Sequence, residues 1–231
     1  MTRRDPNSAQ VELIANAIGD LRERLVFVGG CAVGLLITDP AAAPVRVTYD
    51  VDLIVQVTAL PGYYQIERDF SRLGFQRDVS ADAPICRWTY RDIVVDLMPT
   101  DTSILGFSNR WYPLAVETAL VISLQNDQHI KLISAPLFLA TKFEAFADRG
   151  NRDILSSHDF EDIINVIDGR AELPGEIETS SDELRGYLRE QCQLLLNSSD
   201  FLGALPGLVF PDEFLAERVR EVENRVRRIA A

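Results

Sequence analysis

Seven residues, IVVDLMP at 93 to 99, constrain the fold more than any other stretch of the chain. A run that is apolar at all but one position reads as a strand inside a sheet covered on both faces, since neither face alternates with polar side chains. A sheet layered in this way belongs to an α/β protein. Asp96 is the exception in the run. A buried carboxylate without a partner is costly or takes up a proton, so Asp96 needs either an arginine or a bound cation.

The rest of the amino-terminal part supplies the other strands. LVFVGG, residues 25 to 30, is a β-branched and aromatic run ending in two glycines, and CAVGLLI continues it as a short helix. RVTYDVDLIV, residues 46 to 55, reads as one strand. Alternation places Arg46, Thr48, Asp50 and Asp52 on one face, with Val47, Tyr49 and Val51 packing on the other. A D-x-D pair alone also describes an edge strand with a solvated face. Asn7 or Ser8 caps a first helix carrying Val11, Ile14, Ala15 and Ile18 at helical spacing. Another helix covers YYQIERDFSRLGF, packing through Tyr64, Phe70 and Leu73 and ending at Gly74. CRWTYRDIVVDLMP gives two strands or one bent one, and HIKLIS, 129 to 134, is the last strand candidate.

From Ser134, which caps a helix running to Gly150, the strand signals stop. Helical periodicity then covers 157 to 168, 181 to 197 and 211 to 229. The expected organisation is an α/β domain over 1–133 and a helical carboxy-terminal domain over 134–231, with no internal repeat.

The net charge of -12 argues against non-specific nucleic-acid binding, which needs many cations on phosphates. Three cysteines, Cys31, Cys86 and Cys192, fit reduced thiols in a cytoplasm rather than a disulfide framework. The start MTRRDPNSAQ has no apolar segment after its arginines, and runs such as LFLA are far too short to span a bilayer, so a cytoplasmic protein without a membrane partner is expected.

Several residues could carry chemistry. Aspartates two apart on a strand have Cα atoms roughly 7 Å apart, a span from which both can lean onto bound cations, and Asp96 on a neighbouring strand would complete a set of three. Mg²⁺ prefers such oxygen ligands. Gly29 and Gly30, ending a strand and opening a helix, bring backbone N–H groups towards an anion, or simply make a tight turn. In KFEAFADR, Lys142 and Arg149 lie two helical turns apart on one face with Ala145 between them. They are either solvated cations or a clamp for polyphosphate. In SSHDFEDIINVIDG, Asp159 and Asp162 share a face of a helix capped by Ser156 or Ser157, where early acids also suit the helix dipole.

Taken in order, VGG (28 to 30), RVTYDVDL (46 to 53), VVDLM (94 to 98), KFEAFADR (142 to 149) and DFEDI (159 to 163) resemble the nucleotidyltransferase superfamily, specifically its AbiEii-like branch of type IV toxin–antitoxin and abortive-infection toxins. The resemblance covers residues 28 to 163. Gly30 stands where the wider superfamily usually has serine. GNRDILSSH separates Arg149 from Asp159, with Arg152 and Asp153 as a competing register.

The resemblance implies a polymerase β-like mixed sheet with flanking helices, followed by a helical region that completes the cleft. It implies that Asp50, Asp52 and Asp96 hold two Mg²⁺ ions, or Mn²⁺ in their place, and that Asp96 helps deprotonate the attacking hydroxyl. Gly29, Gly30, Thr48, Lys142, Arg149 and Asp159 would bind the nucleoside triphosphate. The acceptor would be a macromolecule, a tRNA end or a protein, and a cognate antitoxin would be a partner. Alternatives are transfer to a small molecule, as in antibiotic-modifying relatives, and a catalytically inactive nucleotide- or partner-binding module. A D-x-D glycosyltransferase fits less well, because the glycine turn and K-x-x-A-x-x-x-R do not belong to that plan.

Overall fold

The computed structural model describes residues 5–57, 59–149 and 153–231, with Arg149 described in its backbone only. The fold is mixed α/β: a seven-stranded mixed sheet with flanking helices, then a helical carboxy-terminal region. The chain divides into two compact units, one of residues 5–34 and 46–134, the other including 35–45 and 135–231.

The first unit holds the sheet. Its strands are β1 (Leu25–Val28), β2 (Asp50–Val55), β3 (Gln76–Arg77), β4 (Arg87–Tyr90), β5 (Ile93–Pro99), β6 (Leu120–Ser123) and β7 (His129–Leu132). Their order across the sheet is β3-β4-β5-β2-β1-β7-β6. β2 pairs parallel with β5 and antiparallel with β1, and β1 pairs parallel with β7. The β5 run therefore lies between β4 and β2 with Val95, Asp96 and Leu97 buried, as its apolar character requires. The helices of this unit are α1 (Ser8–Ala17), α3 (Leu60–Arg72), α4 (Thr102–Leu105) and α5 (Tyr112–Glu117), and α2 (Val33–Leu36) spans the first crossing, with Val33 and Gly34 in this unit and Leu35 and Leu36 in the other. α3 covers the sheet face that carries Trp88: the Phe70 and Trp88 rings stand 5.7 Å apart edge-on, and Tyr63 Oη donates to Leu97 O at 2.8 Å.

The second unit contains α6 (Ala135–Arg149), α7 (His158–Gly169), α8 (Leu173–Glu178), α9 (Asp182–Leu196), α10 (Ser199–Leu208) and α11 (Leu215–Ala230). Ser157 caps α7 and Ser181 caps α9 through their hydroxyls. Phe160, fully buried, meets Phe146 at 5.0 Å and Phe201 at 6.0 Å between ring centres. The carboxyl end of α7 is satisfied from elsewhere in the unit. Thr38 N and Asp39 N donate to Gly169 O, and Arg225 Nη1 donates to Ile167 O at 2.7 Å and also to Asp168 O. Arg218 pairs with Asp168. Two of the arginines of the last helix are thus structural, and Arg220 and Arg227 form surface pairs with Glu217 and Glu223.

Four local expectations need correction. β2 begins at Asp50 rather than residue 46, and Val47 and Tyr49 are exposed instead of packed. Arg46 and Thr48 are held by the side chains of Asn7, just before α1, and Gln10, within it, as described below. In α3 the buried tyrosine is Tyr63, while Tyr64 and Leu73 face outwards. Asn7 precedes α1 but makes no side-chain cap bond, because its amide is engaged elsewhere. Finally, β3, β6, α4, α5, α8 and α10 were not anticipated. α8 and α10 contain LPG and ALPG, which read as breaks, although Pro174 occupies the first turn of α8 where its missing N–H costs nothing.

All three cysteines are free and buried. Among the described residues, no helix is long and apolar enough to cross a membrane.

Candidate active site

The register of three strands builds the acidic cluster. Asp52 on β2 stands opposite Asp96 on β5 in the parallel pair, and opposite Val28, the last residue of β1, on its other side. Asp50 lies one step earlier on the same face, opposite Val94. One carboxylate oxygen from each of Asp50, Asp52 and Asp96 lies within 4.8 Å of the others. At that separation two unit charges repel by about 3.5 kcal/mol at an effective dielectric constant of about 20. The set is all hard oxygen, which fits Mg²⁺ or Mn²⁺ rather than a thiophilic metal.

An arginine offsets part of that repulsion. Arg87 on β4 stands opposite Asp96 in the antiparallel register, with Nε 2.9 Å from Oδ1 and Nη2 2.7 Å from Oδ2. The two hydrogen bonds to Asp96 hold the Arg87 guanidinium well above the usual arginine range. Of the two partners offered for Asp96 on sequence grounds, an arginine and a bound cation, the arginine is present, and the other two carboxylates expected at the cation lie beside Asp96. Nearby, Cys86 is pushed up to about 12 by burial and then by the Asp96 charge, so it is an inert thiol at neutral pH.

The glycine turn abuts the carboxylates because Gly29 follows directly on Val28. Gly29 has φ +70°, and a Cβ there would come 1.7 Å from Asp52 Oδ2. Only glycine tolerates both the backbone and the neighbour. Gly30 opens a short 3₁₀ turn, and a Cβ on it would meet Arg46 Nη2 at 2.7 Å and Thr48 Cγ2 at 2.8 Å. The missing serine is explained locally, since Arg46 and Thr48 fill the space its side chain would need.

Arg46 and Thr48 are positioned by α1. Asn7, fully buried, donates from Nδ2 to Arg46 O and accepts from Thr48 N, both at 3.0 Å. Gln10 Nε2 donates to Thr48 Oγ1 at 2.9 Å and Thr48 O at 3.2 Å. The Thr48 hydroxyl in turn donates to Asp50 O at 3.3 Å. Thr48, expected at the nucleotide, is buried and its hydroxyl is engaged in the strand entry.

Lys142 and Asp159 belong to the helical unit. Lys142 is buried, with Nζ 2.9 Å from Asp159 Oδ1 and 2.8 Å from Asp162 Oδ2. Burial alone would lower its pKa, but the Asp162 and Asp159 carboxylates outweigh it and hold the ammonium above the ordinary lysine range. The Arg149 side chain lies outside the described residues, as does Arg152.

Sequence reasoning missed Arg87, Asn7 and Gln10. Arg87 was within reach: in a hairpin turning at Arg91 and Asp92, residue 87 falls opposite 96. Nothing local marks Asn7, whose partners lie 39 and 41 residues away.

No protein-family model and no curated protein matches this chain. Among solved structures, an antigenic nucleotidyltransferase-like protein from Paracoccidioides brasiliensis is similar over 88% of this chain and 94% of its own, with TM-score 0.51 and 24% identity. JHP933 from Helicobacter pylori aligns over 96% of this chain and 91% of its own, with TM-score 0.45 and 14% identity. The first likeness identifies the architecture as nucleotidyltransferase-like. The case for chemistry rests on the carboxylates.

Proposed function

We propose that this chain is a divalent-metal-dependent nucleotidyltransferase that moves a nucleotide from a nucleoside triphosphate to a hydroxyl acceptor. The observation that carries the reading is the convergence of Asp50, Asp52 and Asp96, from two adjacent parallel strands, beside a glycine turn. In the reaction the acceptor oxygen bonds to the α-phosphorus, the bond to the bridging oxygen breaks, and pyrophosphate departs. Asp50, Asp52 and Asp96 would hold Mg²⁺, which when bound supplies charge stabilisation to the phosphates.

The protein's own part is positioning. Asp96, oriented by the Arg87 fork, is the base for the acceptor hydroxyl. The side-chain-free turn at Gly29 and Gly30 lets phosphate oxygens approach the backbone. Lys142 and Arg149 are the cations we propose for the triphosphate, and Asp159 and Asp162 hold the lysine.

The acceptor we favour is a macromolecule modified by an AbiEii-like toxin with a cognate antitoxin, as the five ordered sequence blocks support. The net charge of -12 favours a protein over an RNA acceptor. Three free buried thiols accord with work in the cytoplasm. The test is label transfer: purified protein, Mg²⁺, each α-labelled nucleoside triphosphate in turn and a cell extract, beside Asp50→Asn. A labelled macromolecule absent from the variant reaction is expected and names donor and acceptor class. Equal labelling by wild type and Asp50→Asn overturns the assignment, and label appearing only in small molecules moves it to the antibiotic-modifying class.

A further inference from the structure

Asp50 begins β2, and the two edges of the strand are treated differently there. On one edge β5 runs alongside, with Val94 N donating to Tyr49 O at 3.4 Å. On the other, the printed β1 register ends with Val28 opposite Asp52, and the chain turns away at Gly29. Backbone groups of alternate residues point to opposite edges of a strand, so with Tyr49 facing β5 those of residues 46 and 48 face the edge that β1 has left. That edge is occupied by amide side chains. Asn7 Nδ2 donates to Arg46 O and Asn7 Oδ1 accepts from Thr48 N, both at 3.0 Å. A residue of a parallel neighbour makes the same two bonds, to the carbonyl of residue i and the N–H of residue i+2, so the Asn7 side chain stands in for a strand. Gln10 Nε2 takes the next group along, Thr48 O, at 3.2 Å. Asn7 is itself fixed: it is fully buried, and its backbone N–H donates to Asp5 Oδ1 at 2.9 Å. Thr48 passes the constraint on, its hydroxyl donating to Asp50 O at 3.3 Å.

We propose that Asn7 is a positioning residue for nucleotidyl transfer: its amide, with that of Gln10, completes the β2 edge beside the site and so fixes Asp50 relative to Asp52 and Asp96. The inference rests on the metal reading of the site given above. Without the clamp the start of β2 frays as strand ends do, and Asp50 leaves the 4.8 Å cluster, while Asp52, flanked by Val28 and Asp96, stays in place. A site whose supporting contacts are loosened holds its ion less well even when every ligand is still present. The position calls for an amide, because one planar group has to offer a donor and an acceptor at once.

The test is Mn²⁺ binding to the full chain, followed by calorimetry and by the electron-paramagnetic signal of free Mn²⁺ well below the melting temperature of every variant, with hydrogen exchange over residues 46–50 recorded without metal. Asn7→Ala should weaken Mn²⁺ binding by about tenfold or more and speed that exchange. Asn7→Asp, which keeps the acceptor and loses the donor, should fall between Asn7→Ala and wild type. It carries the comparison if Asn7→Ala does not fold. Val11→Ala, on the buried face of α1, should lower the melting temperature and leave Mn²⁺ affinity as in wild type. Wild-type affinity in the Asn7 variants, with binding lost in Asp50→Asn, overturns the positioning role and leaves the metal reading standing. An equal loss of affinity in Val11→Ala makes Asn7 a stability residue and overturns the role as well. Wild-type Mn²⁺ binding in Asp50→Asn overturns the metal reading, and this inference with it.

Discussion

Gly29 is the residue with the least freedom in the site, since both its φ and the Asp52 carboxylate exclude a side chain. Gly29→Ala should displace Asp52, costing about 1–3 kcal/mol of stability and most of the Mn²⁺ affinity. A melt and a metal titration on one preparation check it, and an unaltered titration would count against the placement of Asp52. Lys142 gives a different prediction. Replacing it by Met leaves two carboxylates facing each other in the interior, at a cost of about 3–5 kcal/mol measurable by urea denaturation. At this scale the sequence was informative where chemistry and spacing coincide. Asp50, Asp52 and Asp96 could be grouped because strand alternation and an apolar run leave few other arrangements. Asn7 was legible only as a helix cap, and its partnership with residues 46 and 48 depends on chain folding that no local signal encodes.

The end of α7 shows how an element is completed by distant residues. Its last carbonyls accept from Arg225 on α11 and from the amides of Thr38 and Asp39. Arg225→Ala should cost about 1–3 kcal/mol by leaving buried carbonyls unpaired. Hydrogen exchange should rise first in the last turn of α7, and a uniform rise across α11 would show instead that the arginine acts through its own helix. The alternation of arginines with acids in ERVREVENRVRR reads as a solvated face. That is true of Arg220 and Arg227 and not of Arg218 and Arg225, because helical phase decides which arginines turn inward. Elements were read well where period and length agree, as in β5, α7 and α9. They were lost where proline and glycine sit inside a helix, as in α10, or where a four-residue edge strand such as β6 leaves Leu120 and Val121 exposed.

For the whole molecule, the switch from strand-rich to helix-only sequence announced the mixed sheet and the helical region, because a chain cannot hide the periods of its elements. A net charge of -12 works against compactness, so raising NaCl from about 20 mM to about 300 mM should raise the melting temperature by shortening the screening length. A calorimetric series checks it, and a fall would mean that ion pairs outweigh self-repulsion. The pH response has a sign fixed by Lys142. Its folded pKa lies above the ordinary 10.5, so its stabilisation is complete below that value and is lost as pH rises through the folded one. Stability should drop at strongly alkaline pH in wild type and drop less in Lys142→Met. The path of the backbone adds a constraint of another kind. The chain passes between its two units after residues 34, 45 and 134, and the short middle passage supplies the amides that finish α7. A single recombination point at residue 134 would therefore transplant a helical unit without the eleven residues, 35–45, that belong to it.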